Sequence, residues 1–428
     1  MTEKHLNLET LRLNSHCRSK RVSAFLCFCV SVSCMWSAFA QAPVASWPQW
    51  RGPARDGVAS SFTPPAAWPA QLTRRWQATV GAGHSSPVIS GTRVILHSRQ
   101  SNHEVIAAYD LHSGKQLWQE GVDAPYTMHQ AALGHGPGPK STPAVAGGRV
   151  FTLGISGIFS AHDVATGKLL WRKPAPLTPP TFGTASSPMV DGGTVIAFLG
   201  GSNQGALTAC DTATGAVKWQ WSGDGPGYAS PIVATFSGTR QIITQSQNAL
   251  VGIDAANGQL LWSVAIKTPH EQNSVTPVVI NDLLLYAGLE NPTIALRIAR
   301  TGTQWAATPA WRNEQVSMYM SSPAAIGTTV YGLSNKNRGQ FFAIDAATGK
   351  TLWTTKGRDA ENASIVRAGD YLLLGTTSSE LIVVKANPGR YEELKRYTLA
   401  DSAMWAHPAF AGGLIVVKDV NTLTVWGL

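Results

Sequence analysis

The sequence predicts an all-β fold, an eight-bladed β-propeller with four-stranded antiparallel blades, and three observations predict it. One phrase, Asp163-Val-Ala-Thr-Gly167-Lys-Leu-Leu-Trp171, is rewritten as Asp110 to Trp118, Asp211 to Trp219, Asp254 to Trp262 and Asp345 to Trp353, with a worn copy from Arg297 to Trp305 that loses the acid. Successive tryptophans stand 53, 48, 43, 43 and 48 residues apart, the period of a propeller blade. The composition agrees: 41 Gly and 25 Pro with only 14% charged residues suit a turn-dense chain, and no helical periodicity runs far enough to compete.

The phrase has the chemistry of a hairpin. Its Asp accepts hydrogen bonds from amides two residues on, and Thr-Gly or Asn-Gly supplies the residue that tolerates positive φ. The tryptophan that follows is too large for one blade to bury alone. It is expected to wedge against the next blade, burying about 200 Å² per copy. Trp76, Trp118, Trp171, Trp219, Trp262, Trp305 and Trp353 are the predicted blade-docking residues.

Taken in order, the chain begins with a different object. Lys20-Arg21 precedes an uncharged stretch from Val22 to Ala40 that ends Ala38-Phe39-Ala40, as a signal peptide cleaved after Ala40 would. An uncleaved membrane anchor is the alternative; with cleavage, no transmembrane span is expected in the mature chain. Four of the five cysteines lie in this leader, which leaves Cys210 as a small core residue without a disulfide partner. Residues 41–70 form a linker and lid in which Trp47-Pro-Gln-Trp50-Arg51-Gly-Pro-Ala-Arg55-Asp-Gly57 packs onto the ring. Residues 71–428 form the propeller.

A second marker leads each blade: a small polar residue before Pro, then alternating apolar residues. It reads Ser86-Pro87, Thr142-Pro143, Ser187-Pro188, Ser230-Pro231, Thr276-Pro277, Ser322-Pro323 and His407-Pro408. Proline is tolerated at the first residue of a strand. These are the innermost strands, so the residues before each Pro should ring a central channel. Six clear blades run from Pro87 to Trp353, and a degenerate seventh covers Ile365 to about Leu399, with Arg390-Tyr391 and Tyr397 in place of the turn Gly and the Trp. The last blade is composite: Pro408 to Leu428 supplies three strands and the strand around Trp76 the fourth, which leaves the ring no open edge.

The repeated Asp-x-x-Thr-Gly-x-x-x-Trp phrase resembles the pyrroloquinoline quinone (PQQ) enzyme repeat family, and the opening Trp47-Pro-Gln-Trp-Arg-Gly-Pro resembles its exported, PQQ-binding-like bacterial propellers. Two better-known relatives are the propeller lipoprotein of the outer-membrane assembly machinery and the quinoprotein alcohol dehydrogenases. The first implies docking to an outer-membrane assembly factor by loops or strand addition. The second implies PQQ between a Trp floor and a disulfide of adjacent cysteines, with Ca²⁺ held by Glu and Asn and an Asp base. The sequence has no two adjacent cysteines, and Glu271 with Asn273, or Glu361-Asn362, are the nearest approaches to a calcium set.

No catalytic constellation and no metal template stands out. Segments leading the blades bring Tyr126, His129, His135, Lys140, Tyr228, Gln272, Asn273, Tyr319, Asn362, Trp405 and His407 toward one face, the candidate ligand-binding mouth of the channel. The net charge of +9 is scattered rather than clustered, which argues against a nucleic-acid groove. The expectation is a periplasmic or secreted monomer, a non-catalytic propeller that binds a protein partner or small ligand at one face, with a scaffold role in outer-membrane protein assembly as what the resemblance implies. A PQQ-dependent oxidoreductase is the alternative, and a glycan-binding module using Tyr126, Tyr228, Tyr319 and Trp405 is a third reading.

Overall fold

The computed structural model of the protein describes residues 46–428, so the expected leader over 1–40 lies outside the described residues. Eight antiparallel sheets follow one another along the chain, each strand pairing with the next in sequence. Blades 1 to 7 begin at Val88, Ala144, Met189, Ile232, Val278, Ala324 and Ala363. Blade 8 is composite as expected: Ala409–Ala411, Leu414–Lys418 and Thr422–Gly427 are completed by Thr73–Thr79, which pairs antiparallel with Thr422–Gly427. The chain ends share one sheet. Blade 1 carries a fifth strand, because Ser46–Trp47 pairs with the inner edge of Val88–Ser90.

The hairpin chemistry is realised atom by atom. Asp163 Oδ1 accepts from the Ala165 and Thr166 amides (3.1 and 2.8 Å), Asp110 and Asp211 repeat the arrangement, and Gly167 turns at φ 76°. The Trp of the preceding blade lies on that glycine: a Cβ on Gly167 would stand 2.5 Å from the Trp118 ring. The indole N–H then donates to the adjoining turn, Trp76 to Leu111 O, Trp118 to Val164 O, Trp171 to Thr212 O and Trp219 to Ala255 O, at 2.8 to 3.2 Å. Trp353 donates to Asn387 O at 2.9 Å. Turn and wedge are therefore one interlocking joint between neighbouring blades.

Blade 5 departs from the expectation, and Trp305 is not its wedge. Without the Asp, the hairpin does not turn early; Thr293–Thr301 and Gln304–Asn313 run on as a long ribbon that carries Trp305 to its tip, beside Arg300. Trp311 takes the joint, pairing with Ala295 and donating to Ala346 O at 2.8 Å. Trp262, whose neighbour lacks the Asp turn, folds back over Gly252 and donates to Gln241 Oε1 of its own blade (2.7 Å), while still packing between blades 4 and 5. In blade 7 Lys395 holds the wedge register, and Tyr397, two residues on, fills the joint to blade 8 and donates to Pro69 O.

One regularity was not anticipated. In every blade the outermost strand slips register by one residue just before the wedge position, as between Ala108/Tyr109 and between Gly252/Ile253. The extra residue turns outward. Leu117, Leu170, Leu352 and Leu394 sit at these bulges and are between 37% and 42% exposed for that reason. Bulges break the flatness that would let one outer edge pair with another chain.

Candidate functional site

The site is built on the innermost strands. All but that of blade 7, which begins at Ala363 after Asn362, follow a proline, and in blades 1, 2, 3 and 5 the residue before that proline ties its blade to the next: the Ser86 N–H donates to Thr142 Oγ1 (3.3 Å), Thr142 N–H to Ser187 Oγ (2.9 Å), Ser187 N–H to Ser230 Oγ (2.9 Å) and Thr276 N–H to Ser322 Oγ (3.0 Å). His407 N–H donates to Ser86 Oγ (2.9 Å), carrying the girdle across the seam. Proline leaves its strand start without a ladder donor, so the hydroxyl of the residue before it is free to serve the neighbour.

The segment from Ser46 to Thr63 runs into the ring among these strands, touching some where they begin and others where they finish. Pro48 O accepts from Val145 of blade 2 (2.8 Å), Gly57 O from Arg367 of blade 7 (2.7 Å), and Thr63 N–H donates to Gly412 O of blade 8 (2.8 Å). Two guanidinium groups pin it. Arg51 donates to Ser322 O (2.8 Å) and Pro323 O of blade 6, and Arg55 to Pro188 O (2.9 Å) and Ser187 O (3.1 Å) of blade 3. Both are buried; burial pushes Arg51 down to about 10 and Arg55 to about 9, the latter helped by Arg51, so both stay charged at neutral pH. Gly57 is required where it stands: its φ is +79°, and a Cβ would meet Arg51 Nη2 and Ile365 O at 2.9 Å. This segment is a plug.

Above the plug the tunnel opens into a funnel of about 390 Å³. Trp50 is its floor, donating Nε1–H to Thr276 Oγ1 (3.0 Å) and stacking on His407 with ring centroids 4.3 Å apart. His84, His135 and Trp405 form one wall, with His135 4.8 Å and His84 5.8 Å from the Trp405 ring. Phe182, Tyr228 and His129 form another. Tyr319 O–H donates to Gln272 Oε1 across the mouth.

The electrostatics are one-sided. Lys140 donates to Phe182 O (2.9 Å), and burial lowers it to about 8. Burial also holds His407 at about 3, with Arg51 adding to the effect, and His84 at about 3, helped by His135, Lys418 and Lys140. His135 is lowered by burial and by Lys140, against the pull of Glu361. Tyr228 and Tyr319 are pushed up to about 12 by burial. Among the described residues, no Asp or Glu lines the funnel.

Of the residues expected at the mouth, His129, His135, Lys140, Tyr228, Gln272, Tyr319, Trp405 and His407 line this one cavity. Three do not. Asn273 is buried as a brace, its amide donating to Ser246 O and Gln247 O (3.0 and 2.9 Å). Asn362 is buried with its backbone bonded to Thr377, and Tyr126 stands behind the wall against Gly183. Sequence reasoning missed Trp50, His84, Phe182 and His270. A simple signal finds one of them: the residue three before each inner-strand proline, His84, Lys140, Ala185, Tyr228, Ser274, Met320 and Trp405, lines the funnel in all seven cases.

A second cluster lies off axis between blades 1 and 2. Glu104 accepts from Ile155 N–H (2.7 Å) and is pushed up to about 7 by burial, while burial lowers His97 to about 3. Their 3.7 Å contact therefore joins two groups driven toward their neutral forms and is not an ion pair. The adjoining space, about 10 Å³, is the size of one water.

Residues 102–355 match the family described as outer membrane protein assembly factor BamB. The chain belongs to this family. The BamB of Yersinia pestis is 23% identical over 370 residues, covering 81% of this chain and 86% of that one. The BamB structure from Moraxella catarrhalis superposes with a TM-score of 0.61 at 16% identity, over 84% of this chain and 98% of that chain. A europium-containing methanol dehydrogenase gives 0.57 at 14% identity, over 90% and 98%. A polyvinylalcohol dehydrogenase from Sphingopyxis is 25% identical over 157 residues, 36% of this chain and 19% of the enzyme. The structural likenesses establish the propeller; chemistry must come from the site.

PQQ with calcium does not fit the funnel. Trp50 supplies a floor, but no carboxylate lines the cavity to hold a divalent cation or accept a proton. Glu271 and Glu361 are exposed and line no part of it. Cys210 lies in the core between blades 2 and 3, so no cysteine pair covers the site among the described residues.

Proposed function

We propose that the protein is an exported, non-catalytic scaffold of the BamB type that works in outer-membrane protein assembly and docks its partner or a small ligand at the open mouth of the tunnel. Family membership supports the assembly role. What carries the choice of face is the asymmetry of the tunnel: one end is closed by the plug, and the other presents an aromatic funnel free of acidic groups, rimmed by loops that hold Leu133 59% exposed and Leu177 fully exposed. Exposed leucines beside an apolar concavity are the composition of a docking rim. On this reading the leader is removed after Ala40, residues 41–70 serve as lid and plug, and residues 71–428 form the working ring.

The test is photo-crosslinking from a reactive residue at 133 or 177 in growing cells. A discrete adduct with an outer-membrane assembly component at both positions, absent when the reactive residue sits on the opposite face at Gly192, is expected. Equal labelling from both faces, or none from the rim, would sink the proposal. Reduction of a dye on addition of PQQ and Ca²⁺ would instead favour an oxidoreductase, for which Trp50 is the one supporting group.

A further inference from the structure

We propose that the funnel binds a small aromatic carboxylate, with its ring against Trp405 and Trp50 and its carboxylate on Lys140; this rests on the reading that the open mouth is a ligand face. The volume of about 390 Å³ suits a one- or two-ring molecule and exceeds what a single bound water needs. The walls choose an aromatic guest. Trp50, Trp405, Phe182 and Tyr228 present ring faces or edges, and aromatic rings prefer offset or edge-to-face partners at such separations.

The polar groups choose an anion. Lys140 Nζ spends one N–H on Phe182 O, and no other hydrogen bond engages it, so two donors remain. The His84 ring lines the funnel beside Trp405, and burial keeps it neutral. Behind His84 stands a second buried cation: Lys418 is held by the carbonyls of Gly83 (2.8 Å), Asp419 and Val420, with its ammonium bonded to no carboxylate. Two acids reach the wall with their field, Glu361 at His135 and Tyr319 and Glu271 at Tyr228, and both are exposed and outside the cavity. A cationic guest would meet these charges unpaired. A phosphate would ask for two or more charges where one flexible ammonium faces the cavity, with no arginine among the residues lining it. A single carboxylate matches the two donors left on Lys140.

The test titrates the purified protein with 4-fluorophenylacetate and, separately, with the neutral 2-(4-fluorophenyl)ethanol, followed by fluorine NMR. Saturable binding of the acid is expected, at least about tenfold tighter than the alcohol, the size of one charge-assisted hydrogen bond. Lys140→Met should erase that preference while leaving the alcohol unchanged, Lys140→Arg should restore part of it, and Trp405→Ala should weaken both. Thermal melts confirm that each variant is folded. Equal binding of acid and alcohol, or no saturable binding of either to folded protein, overturns the proposal. Neither result touches the crosslinking outcome, so the scaffold reading stands or falls separately.

Discussion

Along the plug, contact is almost entirely with backbone: carbonyls at the starts of the inner strands of blades 3 and 6 meet two arginines, and blades 2, 7 and 8 hydrogen-bond to the plug itself. Above the plug, side chains of the segments leading into the same strands face open space, and the groups there are imidazoles, an amine, phenols and indoles. Identical strands thus support two kinds of surface. The closed end trades polar groups among themselves and becomes rigid; the open end leaves donors without partners, which in a buried setting is a disposition to bind.

That contrast can be broken by substitution, and the largest effect should come from the closed end. Arg51→Ala leaves two buried carbonyls unsatisfied and removes the pin to blade 6; a loss of about 3 kcal/mol in denaturant unfolding is expected. A loss below about 1 kcal/mol would mean the plug is dispensable.

The floor joins the two ends, and Trp50→Ala is expected to cost about 2 kcal/mol and to deepen the funnel, since the indole is half-buried and bonded to Thr276. Fluorine NMR of the aromatic probes would then report loosened binding at a site whose lysine is untouched.

A pH series sharpens the same joint. His407 is buried neutral against Trp50 and Arg51, with its folded value near 3. A depressed value means its contribution is whole above the ordinary histidine range and is lost as pH falls from about 6.5 toward 3, at up to about 1.4 kcal/mol per pH unit. His407→Phe keeps a ring on Trp50 and should flatten that part of the acid limb relative to the parent chain. Parallel curves would remove His407 from the account.

The smallest effect belongs to the rim. Leu133→Asp and Leu177→Asp should leave stability within about 0.5 kcal/mol, because both side chains are exposed, yet each should weaken the crosslink formed from the reactive residue at the other position.

Much of the ring was legible because it is written many times. The Asp turn, the wedge tryptophan and the proline that opens most inner strands recur, so one copy explains the others, and Trp76 could be assigned to the last blade by counting strands. Trp311 was hidden because its joint depends on a missing Asp: the ribbon runs on, and the indole that fills the gap stands six residues past the one in step. The bulges were hidden too, since slipping one residue leaves the alternation of side chains nearly unchanged. At the site, Lys140, Tyr228 and Trp405 were found by their unusual chemistry in leading segments, whereas His84 needed the three-before-proline rule, which only the fold displays. The plug occurs once, has no period, and its arginines read as surface charge until their carbonyl partners are seen.

The plug also sets an order of events during maturation. Residues near position 50 emerge early from any machinery that threads the chain, but the backbone atoms they must grasp belong to segments near 188, 323, 367 and 412. Those early residues have to wait, solvated, until almost the whole polypeptide has arrived, and their capture together with the zipping of Thr73–Thr79 onto the final hairpin is the closing step. A chain truncated ahead of that hairpin would carry its tryptophan-rich beginning undocked, a visible flag of incompleteness to any protease nearby.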